Sequence, residues 1–313
     1  MNRVTYVKYN SMRRPEYRIT TEIQEDAGEK WVVKRTGHPA ARAHLERIAA
    51  NRALLEKKVY KTVSVLENTR EGDRLRFPYV EGAVLAEQID NASLDRDAFV
   101  EMTNQWFGRI LDVRDECRCA FEPTEGFAAW FGNNCPESGV PAVCPANVDS
   151  IFSNFIETGD GLVCLDYEWV FDFPVPVDFI KYRSIRYFYN ERMQSLFDGF
   201  SRDAIMEWCG FDQQKQDLFW SMESHFQQQI YGQDWRYLYL NRYKKDETDI
   251  KMLDDKIAGF NKKLREKDDR IRDAEARMRE WENAYQDLTH STSWKLTKPA
   301  RWAGMMVKQI LKK

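Results

Sequence analysis

Three side chains able to do ion chemistry follow one another at short intervals in the middle of the chain. Asp149 and Asn154 stand five residues apart, and Asp166 comes twelve residues after Asn154, closing the apolar run Leu162-Val163-Cys164-Leu165. Carboxylate and amide oxygens are the donors a hard divalent cation prefers. Glu168, two residues beyond Asp166, would share its face of a continued strand, which admits a second reading as an Asp-x-Asp-like metal site of a glycosyltransferase. Such an enzyme needs an alternating strand and helix half upstream, whereas three consecutive strands are expected here. A glycosidase carboxylate pair is disfavoured as well, because nothing fixes the separation its two groups require. Cys117, Cys119, Cys135 and Cys144 crowd one stretch, but C-x-C followed by gaps of 15 and 8 lacks the paired C-x2-C knuckles of common zinc sites. His38, His44, His225 and His290 are scattered without ligand spacing.

The elements that must position these groups follow from hydrophobic patterning. Residues 4–9 alternate apolar and polar, 17–23 extend after Pro15, and Trp31-Val32-Val33-Lys34 follows a turn at Ala27-Gly28. A helix is expected over about 39–57, then strands near 62–67 and 74–79. From Val84 the pattern turns mainly helical, with an amphipathic helix over about 95–115, a loop-rich stretch at 117–147, a turn at Gly159–Gly161 before the strand 162–165, and further helices over 177–243. The fold class expected is α+β: a small β-rich lobe, residues 1–82, and a helical lobe, residues 83–243, followed by a C-terminal helix.

Composition sets the boundaries of function. With 313 residues, 43% hydrophobic and 31% charged, the chain can bury a core. No apolar run approaches the roughly 18 residues of a membrane-spanning helix, and the first 24 residues carry Lys8, Arg13, Arg14 and Arg18 without an apolar signal core. A net charge of −3 offers no global field for a polyanion, so nucleic acid is not an expected partner. Six cysteines without a signal segment are expected to be thiols in a reducing cytoplasm.

The ordered set resembles the protein-kinase-like fold, in its aminoglycoside and choline phosphotransferase branch, over about residues 1–240. The resemblance implies that Asp149 is the catalytic base, that Asn154 and Asp166 hold Mg2+, and that Lys34 grips the phosphates of ATP with Glu46 as its ion-pair partner. Glu56 is the alternative partner. Phe77-Pro78-Tyr79-Val80-Glu81-Gly82 resembles the interlobe hinge, which places the nucleotide beside Tyr79 and Val80. Asp166-Tyr167-Glu168-Trp169 is similar to the Asp-Phe-Glu variant of choline-kinase-like enzymes. Phe171, Phe173 and Phe179 read as packing under the site, and Tyr182, Arg183, Arg186 and Tyr187 as neighbours of the acceptor. Two features depart from the family. Asn10-Ser11-Met12-Arg13-Arg14 stands where a Gly-rich loop is usual, and Asn147 stands where many relatives carry His. They keep open a second reading, a catalytically inactive pseudokinase adaptor that recruits polysaccharide-synthesis proteins.

Residues 244–290 hold 25 charged residues in 47 positions, with one glycine and no proline. Ile250, Ile257, Leu264, Ile271, Met278 and Tyr285 fall on one heptad position; Leu253, Phe260, Lys267, Ala274, Trp281 and Leu288 fall on the other. Six heptads predict a coiled coil and self-association. A single charged helix packed on its own globular domain is the alternative. Residues 291–313 form a basic end in which Lys295, Lys298, Arg301, Lys308, Lys312 and Lys313 meet no acid, with Trp302, Met306 and Ile310 near one helical face and Met305 and Val307 beside it. This reads as an amphipathic helix on a membrane surface, or as one packed on a partner. Ser291-Thr292-Ser293-Trp294-Lys295-Leu296-Thr297-Lys298-Pro299-Ala300-Arg301 resembles a segment of bacterial surface-polysaccharide glycosyltransferases and their companions. Together the parts resemble enzymes that terminate O-antigen chains by phosphorylating the growing end. That resemblance implies a sugar or glycan acceptor, polysaccharide-synthesis partners, and a place at the inner face of the cytoplasmic membrane.

Overall fold

The computed structural model describes residues 3–88, 96–193, 201–233, 247–302 and 305. Met1–Ile250 and Lys251–Lys313 form two compact units. The first has a β-sheet N-terminal region and a largely helical C-terminal part, the α+β arrangement expected.

Strands β1 (Arg3–Tyr9), β2 (Ile19–Asp26) and β3 (Glu29–Thr36) form an antiparallel meander. The β2–β3 hairpin closes in two residues, Ala27 at φ 53° and Gly28 at φ 87°. Two positive φ values make the mirror-image turn whose twist suits paired strands, and Gly28 supplies one at no steric cost. A 3-10 turn, Pro39–Ala41, leads into helix α1 (Arg42–Leu54), which buries His44, Leu45, Ile48 and Asn51 on one face. A π-helical turn, Leu55–Val59, follows.

The sequence expectation of a strand over 62–67 shrinks to β4 (Ser64–Val65), which lies outside this sheet. It pairs in parallel with the strand Gly161–Cys164, and Leu66 N–H continues that contact to Cys164 O at 3.0 Å. Strands β5 (Thr69–Glu71) and β6 (Arg74–Pro78) return to the first sheet. Its order is Glu247–Asp249, β1, β2, β3, β6, β5, so a strand from the end of this unit forms one edge. Strand β7 (Ala83–Val84) crosses to the sheet of β4, packing against Phe155–Thr158.

The helical part holds α2 (Arg96–Ile110), shorter than expected, then α3 (Glu125–Phe131), α4 (Val177–Phe188), α5 (Arg202–Trp208) and α6 (Gln213–Tyr231). The stretch read as loop therefore contains α3. Thr124 caps it by accepting the Phe127 N–H at 3.1 Å, and Gly132 ends it at φ 83°. Phe131, Phe171, Trp169 and Trp130 converge on Phe226 of α6, with centroids 5.4 to 6.3 Å from its ring.

The second unit is built on one uninterrupted helix, Ile250–His290. Ser291 caps the short helix Thr292–Leu296 by accepting the Trp294 N–H at 3.2 Å, and Arg301 folds back over the Trp294 ring at 3.6 Å. Met306, Val307, Ile310, Lys308, Lys312 and Lys313 lie outside the described residues. No helix among the described residues is long and apolar enough to cross a membrane.

Candidate functional site

Asp149 is placed by a small piece of sheet. Ala146–Asn147 pairs antiparallel with Val170–Phe171, and Val148 N–H extends the ladder to Trp169 O at 3.0 Å. Asp149 Oδ2 in turn accepts the Trp169 N–H at 3.0 Å. The Asn147 side chain accepts the Asp149 N–H at 3.0 Å and donates to Tyr60 Oη at 3.3 Å. Asn154 follows through the tight turn Phe152–Asn154, donating Nδ2 to Asp149 O at 3.0 Å. Its own carbonyl accepts Leu165 N–H at 2.8 Å, which ties it to the residue before Asp166. Backbone bonding thus brings together three side chains that the chain separates by five and twelve residues.

Lys34 reaches across from β3, its Nζ 2.7 Å from Asp166 Oδ1. Burial alone would lower the Lys34 ammonium, but Asp166 and then Glu168 outweigh it and hold the group above its ordinary value. Asp149 moves the other way: burial, then the nearby Asp166 charge, pushes its carboxyl up to about 7 against partial relief from Arg183. Such a value suits a base that must both hold and release a proton near neutrality.

Glu168 is the hub of a buried ion cluster. Its Oε1 accepts from Arg13 Nη1 and lies 2.7 Å from His44 Nε2. Burial would raise its carboxyl, yet Arg13 and the His44 hydrogen bond hold it well below the usual carboxylate range. His44 is packed between Trp169 and Tyr17, with centroids 4.7 and 5.3 Å away. Seven residues further along the same face of α1, Asn51 donates to Tyr167 O at 2.9 Å. One helix face therefore grips both the backbone of Tyr167 and the side chain of Glu168.

Two cavities meet at Ser153, Asn154 and Asp166. The larger, about 650 Å³, lies under the sheet, lined by Val32 and Lys34 from β3, by Phe77, and by the segment 78–82. The smaller, about 270 Å³, is lined by Asp149, Arg13, Arg183 and Tyr187. Arg183 is buried, donates Nη1 to Val148 O, and pairs through Nε with Glu223 Oε2 at 2.7 Å. Asn154 Nδ2 is committed to Asp149 O, which leaves the amide oxygen with the Asp166 carboxylate as the donors at the junction. Those two hard oxygens are donors that would hold a magnesium ion, which would supply charge neutralisation to a bound phosphate. No cluster of three or more His, Cys, Asp or Glu able to hold a metal occurs among the described residues.

Of the residues singled out in the sequence, Lys34, Tyr79, Val80, Asn154 and Asp166 line the larger cavity, and Asp149, Asn154 and Asp166 the smaller. Tyr79 N–H is already bonded to Lys30 O at 3.3 Å. Glu46 is a correction: it does not meet Lys34 but pairs on the surface with Arg70 Nη2 at 2.8 Å. Glu56 pairs with Arg52. The lysine instead bonds Asp166 directly, because the buried face of α1 presents His44 and Asn51 and turns Glu46 to solvent. Arg183 and Tyr187 border the smaller cavity, whereas Arg186 stacks on Trp220 at 3.8 Å and Tyr182 is buried between Phe211 and Phe219. Arg13, His44 and Asn51 were missed; only the 3.6-residue spacing of 44, 48 and 51 could have marked His44 as inward-facing. The connection 10–18 bonds to the far side of the site, through Arg14 N–H to Ile230 O at 2.8 Å, so Arg13 borders the smaller cavity. The cysteines act singly: Cys117 Sγ donates to Lys58 O and Cys144 Sγ to Asp172 O.

No family model and no curated protein matches the chain. Among solved structures it is similar to a macrolide 2'-phosphotransferase from Brachybacterium faecium, at 12% identity over 68% of this chain and 82% of that one, with a TM-score of 0.30. It is also similar to the streptomycin-ATP complex of APH(2")-IIa, at 14% identity, 79% and 92% coverage and a TM-score of 0.31. An ethanolamine kinase of Plasmodium vivax shares 10% identity over 72% of each chain, with a TM-score of 0.30.

Proposed function

We propose that the chain is an ATP- and Mg2+-dependent phosphotransferase acting on a hydroxyl of a sugar or glycan in bacterial surface-polysaccharide synthesis. The observation that carries this reading is the junction of the two cavities at Asn154 and Asp166, with Lys34 on one side and Asp149 on the other. The larger cavity takes the nucleotide, its base lying against Val80 at the segment 78–82, where Tyr79 N–H is already engaged. Lys34 holds the phosphates. Asp149 accepts the proton of the acceptor hydroxyl, which occupies the smaller cavity, as the hydroxyl oxygen bonds to the γ-phosphorus of ATP and the bond from that phosphorus to the β-phosphate oxygen breaks, releasing ADP. A magnesium ion held by Asn154 and Asp166 would neutralise charge on the phosphates. Self-association through 244–290 and attachment of 291–313 to an anionic membrane surface complete the reading. Leu296 and Trp302 are exposed beside Lys295, Lys298 and Arg301, a composition suited to such a surface.

The test is phosphate transfer from ATP to candidate glycans by wild type and by Asp166→Ala. Transfer by the wild type that the substitution abolishes is expected; transfer that survives it rejects the metal site. Thermal stabilisation by ATP and Mg2+ without transfer to any acceptor would instead favour the adaptor reading.

A further inference from the structure

The helix Ile250–His290 carries an apolar stripe that stands exposed among the described residues. Ile257, Leu264, Ile271, Met278 and Tyr285 recur every seven residues and are each between 55% and 65% exposed. Water-exposed apolar side chains in line along a long helix call for a partner helix. Residues flanking the stripe differ sharply in charge. Lys263, Arg270 and Arg277 precede the stripe residues on one side, and Asp268, Glu275 and Glu282 follow the second seam position on the other.

We infer that the stripe is covered by the same helix of a second copy, running parallel and in register. This rests on the self-association proposed above and adds its orientation. In a parallel pair, each basic flank meets the partner's acidic flank five residues further on, matching Lys263 with Asp268, Arg270 with Glu275 and Arg277 with Glu282, twice over by symmetry. An antiparallel pair would set basic flank against basic flank and acidic against acidic. Glu275 has an intrahelical neighbour, Arg279, at 3.8 Å, a loose exposed contact that an interhelical arginine can replace. Ile257 and Ile271 on one seam position, with no β-branched residue on the other, fit two strands. Lys267 falls in the seam where a parallel partner presents Asp268, so this seam cation gains a counter-ion in this register.

The full-length chain tests this in two stages. Light scattering should give twice the chain mass; one chain mass overturns self-association itself, and any higher stoichiometry overturns the two-stranded pair. Ile257→Cys, oxidised and mapped by peptide mass to distinguish the native cysteines, should then form a 257–257 disulfide. A mixture of Ile257→Cys with Trp281→Cys that yields the mixed 257–281 disulfide instead overturns the orientation while leaving self-association standing. Lys263→Glu/Arg270→Glu/Arg277→Glu should weaken association at least tenfold and regain it when mixed with Asp268→Lys/Glu275→Lys/Glu282→Lys. Undiminished association of the first triple variant alone overturns the charge pairing.

Discussion

Asp149 Oδ2 accepts the backbone N–H of Trp169 at 3.0 Å, so the proposed base is held by the same segment that carries Asp166 and Glu168. That bond lowers the Asp149 carboxyl but does not outweigh burial and the Asp166 charge, which push it up to about 7 from an ordinary 3.8. Between about pH 4 and 7 the folded chain therefore holds a proton that the unfolded chain has lost, and wild-type stability falls as pH rises across that window. Asp149→Asn removes this penalty and keeps an oxygen for Trp169. It is expected to unfold at a higher temperature than wild type at pH 8 and to lose that advantage toward pH 4, at about 1.4 kcal/mol for each unit separating the two values. Phosphate transfer should fall by about 10²- to 10⁴-fold. A stability difference that does not change with pH would show that Asp149 is not held protonated by its surroundings.

Lys34 and Glu46 separate the observed arrangement from the one the sequence suggested. Lys34 is buried against Asp166 at 2.7 Å, whereas Glu46 is exposed and pairs with Arg70. Lys34→Met is expected to abolish the thermal stabilisation given by ATP with Mg2+, because the phosphates lose their fixed cation. Glu46→Ala should leave that stabilisation intact and change folding stability by less than about 0.5 kcal/mol, as exposed pairs do. A loss of nucleotide binding in Glu46→Ala comparable to that in Lys34→Met would restore the Lys34–Glu46 pairing.

Glu168 offers a test of the buried cluster. With its carboxylate gone, Arg13 keeps a buried charge without its main counter-ion, and such half-removed pairs cost about 3–5 kcal/mol. The Glu168 carboxyl is held well below its ordinary 4.5, so its contribution is present above that value and is lost as pH falls toward the lowered one. Urea unfolding of Glu168→Gln should thus show the full deficit at pH 7 and a narrowing deficit below about pH 4.5. Equal midpoints at pH 7 would show that the cluster does not stabilise the fold.

The groups legible in the sequence were those fixed by short-range order. Asp149, Asn154 and Asp166 lie within one turn, one hairpin and one strand end, and Lys34 follows the apolar run Trp31-Val32-Val33 inside β3, so short-range order and the resemblance it carries singled them out. Glu46 failed because the periodicity of α1 is weak: its buried face includes His44 and Asn51, polar residues whose partners lie more than 100 positions away. Burial of a polar side chain depends on a distant partner, and no local pattern announces it. The strand near 62–67 shrinks to Ser64–Val65 for a related reason, since the sheet it joins is completed by residues 161–164.

Gly82 ends the segment that borders the larger cavity, and its position is set by close approach and not by a positive φ. A Cβ there would collide with the Glu157 carbonyl oxygen and press on Ile156 Cγ1 at 3.1 Å. The obstacle is backbone in the strand Phe155–Thr158, which is paired on both sides by β7 and Gly161–Cys164 and cannot yield cheaply. Gly82→Ala must therefore push the segment 78–82 away from the strand, widening the cavity where the nucleotide base is proposed to lie. Overpacking of this kind costs about 1–3 kcal/mol. The expected outcome is a lower unfolding midpoint together with weaker stabilisation by ATP and Mg2+, whereas Gly72→Ala, in an open turn, should lower stability without touching nucleotide binding. Nucleotide binding unchanged in Gly82→Ala would place the base elsewhere.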